Sequence, residues 1–386
     1  MYYQISLSIV KKDGTAIDEF TAPDGQGKGN SVGFSNNPSI SVFNNIVIRV
    51  GDQLVSDSYG TYPHLAFLQM VFNYSKEARR SLLSLSGYRD ETVFSQRADN
   101  AAPDTAFKKR AATTAQSKVQ TYISAIYHGL MNQPKYLVPL VPINIEFMKQ
   151  SNGFALTSNA NADTFKVKIV SMKLFVKKVR VRASVKVELE AQLLKEPALY
   201  NLRQASVRPM FISAGAKQVS FENIFPAGVV PNFGIVGLLT QSKFRGDYSS
   251  PYEFLPHSLT SLKITINGQV SPSPDGFSPQ YSSTTQPNWT EEYFSLFGHQ
   301  MKQNQEKIVS YDEYTKGFCL YYFTFGNENP MNHDHVTLKR IASGARLDLT
   351  FDSNSANEAL VALLYSECQG QLAIDGQRKV TRDYYI

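Results

Sequence analysis

Two stretches 216 positions apart share one design, and that repetition constrains the fold more than any other feature of the chain. Ile46-Val47-Ile48-Arg49-Val50-Gly51-Asp52-Gln53-Leu54 and Leu262-Lys263-Ile264-Thr265-Ile266-Asn267-Gly268-Gln269-Val270 both place apolar side chains on alternate residues, turn on two residues, and resume at a glutamine. Alternation with period two belongs to a strand with one buried face, because successive side chains leave a pleated backbone on opposite sides. Asn267-Gly268 tolerates positive φ at both turn positions and Gly51-Asp52 at the first, so each copy is predicted to be a tight hairpin.

The residues that follow agree as well. Tyr62 to Phe72 and Pro287 to Phe297 space their apolar residues like helices opened by proline, and Ile143-Asn144-Ile145-Glu146-Phe147 matches Leu347-Asp348-Leu349-Thr350-Phe351 at an offset of 204. Alternating strands are common in any β protein, so one match would mean little; three in the same order indicate a duplication. At 386 residues the chain exceeds what a single core usually holds. The reading is all-β, with two β domains of one topology in tandem, each with a helix inserted after a hairpin. The first unit is placed at residues 1–187, a connecting helix or linker at 188–203, and the second unit at 204–386.

Within this frame, the helix after the first hairpin is expected over 62–85, with Lys76, Arg79 and Arg80 on a solvated face. Residues 89–118 read as a long exposed loop, in which Phe107-Lys108-Lys109-Arg110 resembles a short nuclear-import signal. Strands are expected at 136–141 and 143–147, and one regular alternation runs from Phe165 to Val187 with a slip at Lys177-Lys178. Lysine and arginine on the outer face of that alternation are read as protection of a sheet edge rather than a nucleic-acid surface, since interleaved aromatics are missing. Strand Tyr3 to Val10 opens the chain with no signal-peptide pattern, and no apolar run approaches the ~18 residues of a bilayer span.

Chemistry is scarce. His333-Asp334-His335 is the one close histidine pair, without a third His or Cys nearby to complete a metal site. Glu291-Glu292 falls in a helix first turn, where carboxylates complement the helix dipole without any acid–base role. Neither a phosphate-binding glycine loop nor a nucleophile elbow is present. Cys319 and Cys368 lie inside apolar strands and are expected to be buried free thiols. No catalytic, cofactor-binding or metal-binding residue is assigned, no cofactor is expected, and the chain is read as a non-enzymatic building block. Charged residues at 19% fall below the usual quarter, suggesting a surface that meets other protein. The net charge of +6 is too dilute for a dedicated nucleic-acid binder.

Tyr293-Phe-Ser-Leu-Phe297, Tyr311-Asp-Glu-Tyr-Thr-Lys-Gly-Phe318 and Asp375-Gly-Gln-Arg-Lys-Val-Thr-Arg-Asp-Tyr-Tyr385 resemble the hexon-type major capsid proteins of Polinton/Maverick elements and adintoviruses. Leu54-Val-Ser56, Thr61-Tyr62, Asn73-Tyr74 and Val179-Arg-Val181 extend the resemblance over nearly the whole chain. It implies a double jelly roll of two tandem eight-stranded antiparallel sandwiches with short inserted helices, a homotrimer forming a pseudo-hexagonal capsomer, and contacts with neighbouring capsomers and with penton and minor capsid proteins. It also implies only indirect contact with packaged double-stranded DNA, and a location in the virion after assembly in the host nucleus or cytoplasm. Members of that family carry a further segment ahead of the position of Tyr2, including the first strand of the first roll. The rival reading is a glycan-processing enzyme or carbohydrate-binding protein on tandem jelly rolls, which would need carboxylates converging in one cleft.

Overall fold

A computed structural model describes the chain apart from residues 18–31, 57–58, 90, 92–105, 159–163, 226–229, 285, 297–308, 326–343, 353–357 and 384–386. Strands β1 (Tyr2–Lys11), β2 (Val32–Phe34), β3 (Phe43–Val50), β4 (Gln53–Leu54), β5 (Gln120–Ala125), β6 (Ile143–Lys149), β7 (Leu156–Ser158) and β8 (Phe165–Phe175) build the first half. The second half contains β9 (Ala198–Ile212), β10 (Gln218–Glu222), β11 (Phe233–Thr240), β12 (Leu259–Ile266), β13 (Gln269–Ser271), β14 (Leu320–Thr324), β15 (Ala345–Phe351), β16 (Leu360–Ile374) and β17 (Val380–Asp383). The helices are α1 (Pro38–Ser41), α2 (Tyr62–Asn73), α3 (Lys76–Arg80), α4 (Ala106–Thr114), α5 (Gly129–Asn132), α6 (Asn152–Ala155), α7 (Ala183–Lys195), α8 (Gln241–Arg245), α9 (Thr290–Ser295) and α10 (Tyr311–Tyr314).

The second half is a jelly roll of two four-stranded sheets facing each other. One runs β9-β16-β11-β14, with β17 added along the far end of β16; the other runs β10-β15-β12-β13. The first half repeats the inner part of this plan. Its sheets run β5-β1-β8 and β4-β3-β6, so β1, β3, β4, β5, β6 and β8 stand where β11, β12, β13, β14, β15 and β16 stand in the second half. All these ladders are antiparallel.

The duplication reaches the details of register. Ile48 pairs with Ile145 as Ile264 pairs with Leu347, and the buried residues Ile46, Ile48, Val50 and Leu262, Ile264, Ile266 face their respective cores. Each ladder carries one register shift near its start, between Phe43 and Asn45 in β3 and between Leu259 and Ser261 in β12. The skipped residues, Asn44 and Thr260, are 216 positions apart, like the hairpins. At the third match the strict 204-residue offset slips by two, since Val50 pairs with Ile143 and Ile266 with Ala345 instead of Leu347. A two-residue slip keeps every side chain on its own face, whereas a slip of one would turn the buried set outward. Both turns follow the predicted backbone: Asn267 and Gly268 have φ of 52° and 79°, and Gly51 has φ of 57°.

Several local expectations are corrected. The helix after the first hairpin ends at Asn73, because Tyr74 is extended and Ser75 caps a new helix by accepting a hydrogen bond from the Ala78 amide; a 3₁₀ turn then covers 82–86. The region 89–118 is not a continuous loop, since α4 occupies 106–114. No strand forms at 136–141, where Pro139 and Pro142 withhold amide donors and Leu140 has φ of 68°. The alternation after Phe165 stops at Phe175, and helix α7 starts at Ala183 rather than Glu188. The irregularity in β8 lies at Val170, skipped between the pairs Ser6–Ser171 and Leu7–Ile169, not at Lys177-Lys178.

Candidate functional site

Helix α2 is apolar around its whole circumference, from Tyr62 and Leu65 through Phe67, Leu68, Met70 and Val71 to Phe72. A helix with no polar face must be buried on all sides. Here it forms a wedge between the two rolls. Thr61 Oγ1 donates to the Val207 carbonyl at 2.7 Å, and Gln69 Nε2 reaches the Tyr365 hydroxyl at 3.5 Å, both in the second roll. Phe67 stacks on Tyr252 with ring centroids 4.4 Å apart and planes 9° apart. His64 stacks on Phe244 at 5.5 Å and meets Phe154 and Tyr252 edge-on.

Backbone contacts finish the seam. The Tyr248 amide donates to the Gly153 carbonyl at 2.8 Å and the Ser158 amide to the Tyr248 carbonyl at 2.9 Å. Gly153 allows this approach, because a Cβ there would stand 2.5 Å from the Gly246 carbonyl oxygen. The rolls therefore share one continuous core instead of being strung on a flexible linker.

Three histidines sit inside this structure as neutral rings. Burial pulls His64, His128 and His257 down to about 4. His64 Nε2 donates to the Pro251 carbonyl at 3.2 Å. In His128 both nitrogens are committed, with Nε2 donating to the Val55 carbonyl and Nδ1 accepting from the Leu130 amide. A proton added at Nδ1 would remove that acceptor.

Of the sequence's few candidates for chemistry, Glu292 and Cys319 lie close enough for the carboxyl to act on the thiol. His333-Asp334-His335 lies outside the described residues. Glu292 is buried on α9, and burial, followed by Glu291, pushes its carboxyl up to about 7. The thiols of Cys319 and Cys368 are free, buried, and pushed up by burial to about 11 and about 12, which suits packing rather than nucleophilic work. Two cavities stand out: one in the helical insert of the first roll, one along the seam beside His128 and Tyr62. Neither has an acidic residue among its described lining residues. No helix among the described residues is long and apolar enough to cross a membrane.

The Phe107–Arg110 cluster differs from both readings its sequence invited. It is helical, and Lys108 and Arg110 are only 8% and 6% exposed, with Arg110 ion-paired to Glu91 and donating from Nε to the Phe34 carbonyl. An import receptor reading an extended basic segment would find these side chains withdrawn. Arg79, expected on a wet helix face, is likewise buried. The break at Ser75 turned it inward, a change that helical periodicity alone did not disclose.

The exposed apolar surface is concentrated. Ile169, Val170, Leu174 and Phe175 on β8, Val176, Val179 and Val181 beyond it, and Val185, Val187 and Leu194 on α7 all face outward. Val187 is 70% and Leu194 79% exposed, and Leu193 is the one buried residue of α7. In the second roll β16 is flanked on both sides, by β9 and β11, whereas its counterpart β8 pairs with β1 alone among the described residues. These ten exposed apolar side chains fall within residues 169–194, interleaved with exposed lysines and arginines, which is more than singly scattered apolar residues account for.

No family model matches the sequence. An uncharacterized protein of Caenorhabditis elegans is 21% identical over 359 residues, which are 91% of this chain and 82% of that protein. Among solved structures, a chain of the Sputnik virophage superposes with a TM-score of 0.59 at 10% identity, over 99% of this chain and 81% of its own. The Faustovirus major capsid protein gives 0.55 at 8% identity, over 96% and 84%. VP54 of PBCV-1 gives 0.52 at 12% identity, over 100% and 90%. These neighbours are double jelly-roll proteins, and the strand order, duplicated hairpins and shared core give this chain the same fold: all-β, a double jelly roll with short inserted helices.

Proposed function

We propose that this chain is a structural capsid subunit of an icosahedral double-stranded DNA virus or virus-like element, built to pack rather than to catalyse. The observation that carries the proposal is the seam. Two rolls of the same topology are locked side by side on α2, so one chain presents two near-equivalent lobes in fixed relation. Three such chains about a threefold axis give six similar lobes, the shape that fills a hexagonal lattice. The solved neighbours, among them a Faustovirus major capsid protein, support this reading over a glycan-binding or glycan-cleaving one. The described lining of the two cavities also holds none of the converging carboxylates that hydrolysis requires.

In this account the subunit forms a homotrimer. The apolar belt from Ile169 to Leu194 is buried in contacts within or between capsomers, each trimer contact covering more than the ~2,000 Å² usual for obligate interfaces. Neighbouring capsomers, penton and minor capsid proteins are the further partners, and DNA is met only indirectly. Among capsid proteins, the sequence motifs favour the Polinton/Maverick and adintovirus group. The purified protein should scatter light as a species of about 130 kDa, three times its 43.2 kDa. A monomer at micromolar concentration would refute the capsomer.

A further inference from the structure

The core of the first roll is left open along one flank. On β8, Ile169 and Leu174 pair with the fully buried Leu7 and Tyr3 and share their core-facing side of the sheet, yet they are 38% and 42% exposed. On the facing sheet Ile143 pairs with the buried Val50 and is 39% exposed. The second roll shows no such gap: Ala345, Leu347 and Leu349 on β15 and Leu360 to Tyr365 on β16 are all buried. The difference lies in the edges. β9 runs antiparallel along all fifteen residues of β16, and β10 runs along β15. Among the described residues β8 and β6 each have a neighbouring strand on one side only.

The free edge of β8 has a defined start. The Val167 amide donates to Asn152 Oδ1 at 3.1 Å and its carbonyl accepts from Lys149 Nζ at 2.7 Å, which closes the edge at that point. From Lys168 to Phe175 every residue except the half-buried Met172 is exposed, and the strand's only ladder among the described residues is with β1. An open edge beside unburied core residues is an incomplete sandwich: its amides and carbonyls lack a ladder, and its apolar side chains lack cover. A strand laid along β8, as β9 lies along β16, supplies both at once. Its inward residues, apolar on alternate positions, would extend the core over Ile169, Leu174 and Ile143.

The outward face specifies the rest. β8 carries Lys166, Lys168 and Lys173 and no acidic residue. Lys168 and Lys173 are exposed and pair with no carboxylate among the described residues. Opposite charges on neighbouring strands attract, and like charges facing each other repel. The same lysines therefore turn away a second β8, which would bring its own lysines to that face, and admit an acidic strand. We propose that β8 takes up an extended segment of another polypeptide, apolar on alternate residues and acidic on those between, as an added edge strand over residues 168–175. The proposal holds whether or not three chains assemble, so light scattering and strand addition test the two readings separately.

The test is fluorescence polarisation of labelled peptides with the full chain at about 0.15 M salt, where long-range attraction is screened. One peptide alternates glutamate and valine over the length of 168–175, one alternates lysine and valine, and one holds the glutamates and valines of the first in two blocks. Saturable binding is expected for the first alone. Lys168→Glu combined with Lys173→Glu should weaken it roughly tenfold, as two exposed charge pairs turn repulsive. Both lysines are exposed, and an unchanged melting temperature without peptide confirms that the variant folds. Hydrogen exchange of the wild type, read by mass spectrometry, should slow within 168–175 when the first peptide binds. Absence of saturable binding, equal binding of the block or lysine peptide, affinity unchanged by the reversals, or protection confined to other segments would overturn the proposal. So would protection of 168–175 that rises with protein concentration in the absence of peptide, since a second copy would then occupy the edge.

Discussion

Replacing Phe67 with alanine should destabilise both rolls together by ~3–5 kcal/mol, the range for emptying a fully buried aromatic site. Phe67 belongs to the first roll's inserted helix, but its ring lies flat on Tyr252 and near Phe254 of the second roll. The space it leaves would be bounded by elements of both halves, which cannot collapse onto it without separating the seam. The chain's single tryptophan, Trp289, lies in the second roll and reports on that half alone. In urea, Trp289 fluorescence and far-UV circular dichroism should show one coincident transition in the wild type and one coincident, shifted transition in Phe67→Ala. A Trp289 transition left at its wild-type midpoint while part of the dichroism signal is lost early would show that the rolls fold independently.

The second large effect is an acid dependence carried by His64. Its folded pKa is lowered to about 4 from an ordinary value of 6.5. Below pH 6.5 the unfolded chain therefore binds a proton that the folded chain refuses. Stability is fully present above about pH 7 and falls as pH drops from 6.5 towards 4, by about 2–3 kcal/mol between pH 7.5 and 4.5 for this residue. His128 and His257 act in the same direction. Buried Glu292 and Glu367 oppose them, since raised carboxyl pKa values make the folded state the better proton binder and favour it as pH falls. The wild-type profile is thus a composite, and the informative measurement is a difference. His64→Phe keeps the ring stack on Phe244 but cannot titrate. The variant will lose some stability at pH 7.5 with the bond to the Pro251 carbonyl, yet its loss between pH 7.5 and 4.5 should be smaller than the wild type's by about 2–3 kcal/mol. Parallel pH profiles for the two proteins would contradict a neutral buried His64.

Much of the fold was legible because the repeated hairpin is a local signal. Alternation, turn residues and their spacing reveal strands without knowledge of what pairs with what, and the 216-residue repeat extends even to the register shifts at Asn44 and Thr260. What stayed hidden depended on tertiary contacts. The wedge role of α2 follows from its lack of a polar face, but which roll covers which side is decided by Val207, Pro251 and Tyr252, all more than 140 positions away. Arg110 and Arg79 read as solvated because charge usually is; their burial goes with the Glu91 and Tyr88 partners, and for Arg79 with the break at Ser75. The end of β8 at Phe175 was hidden by Val176, Val179 and Val181, exposed residues that resume the alternation after a slip at Lys177-Lys178. That pattern fits residues selected for a contact outside the chain as well as for a strand inside it.

The central claim is that six similar rolls gather around one axis, and the measurement closest to it is the projected symmetry of the assembled particle. Negative-stain class averages of the size-exclusion peak should show threefold particles with six lobes of nearly equal size in a hexagonal outline. Class averages of isolated two-lobed particles, or rings of another symmetry, would contradict it.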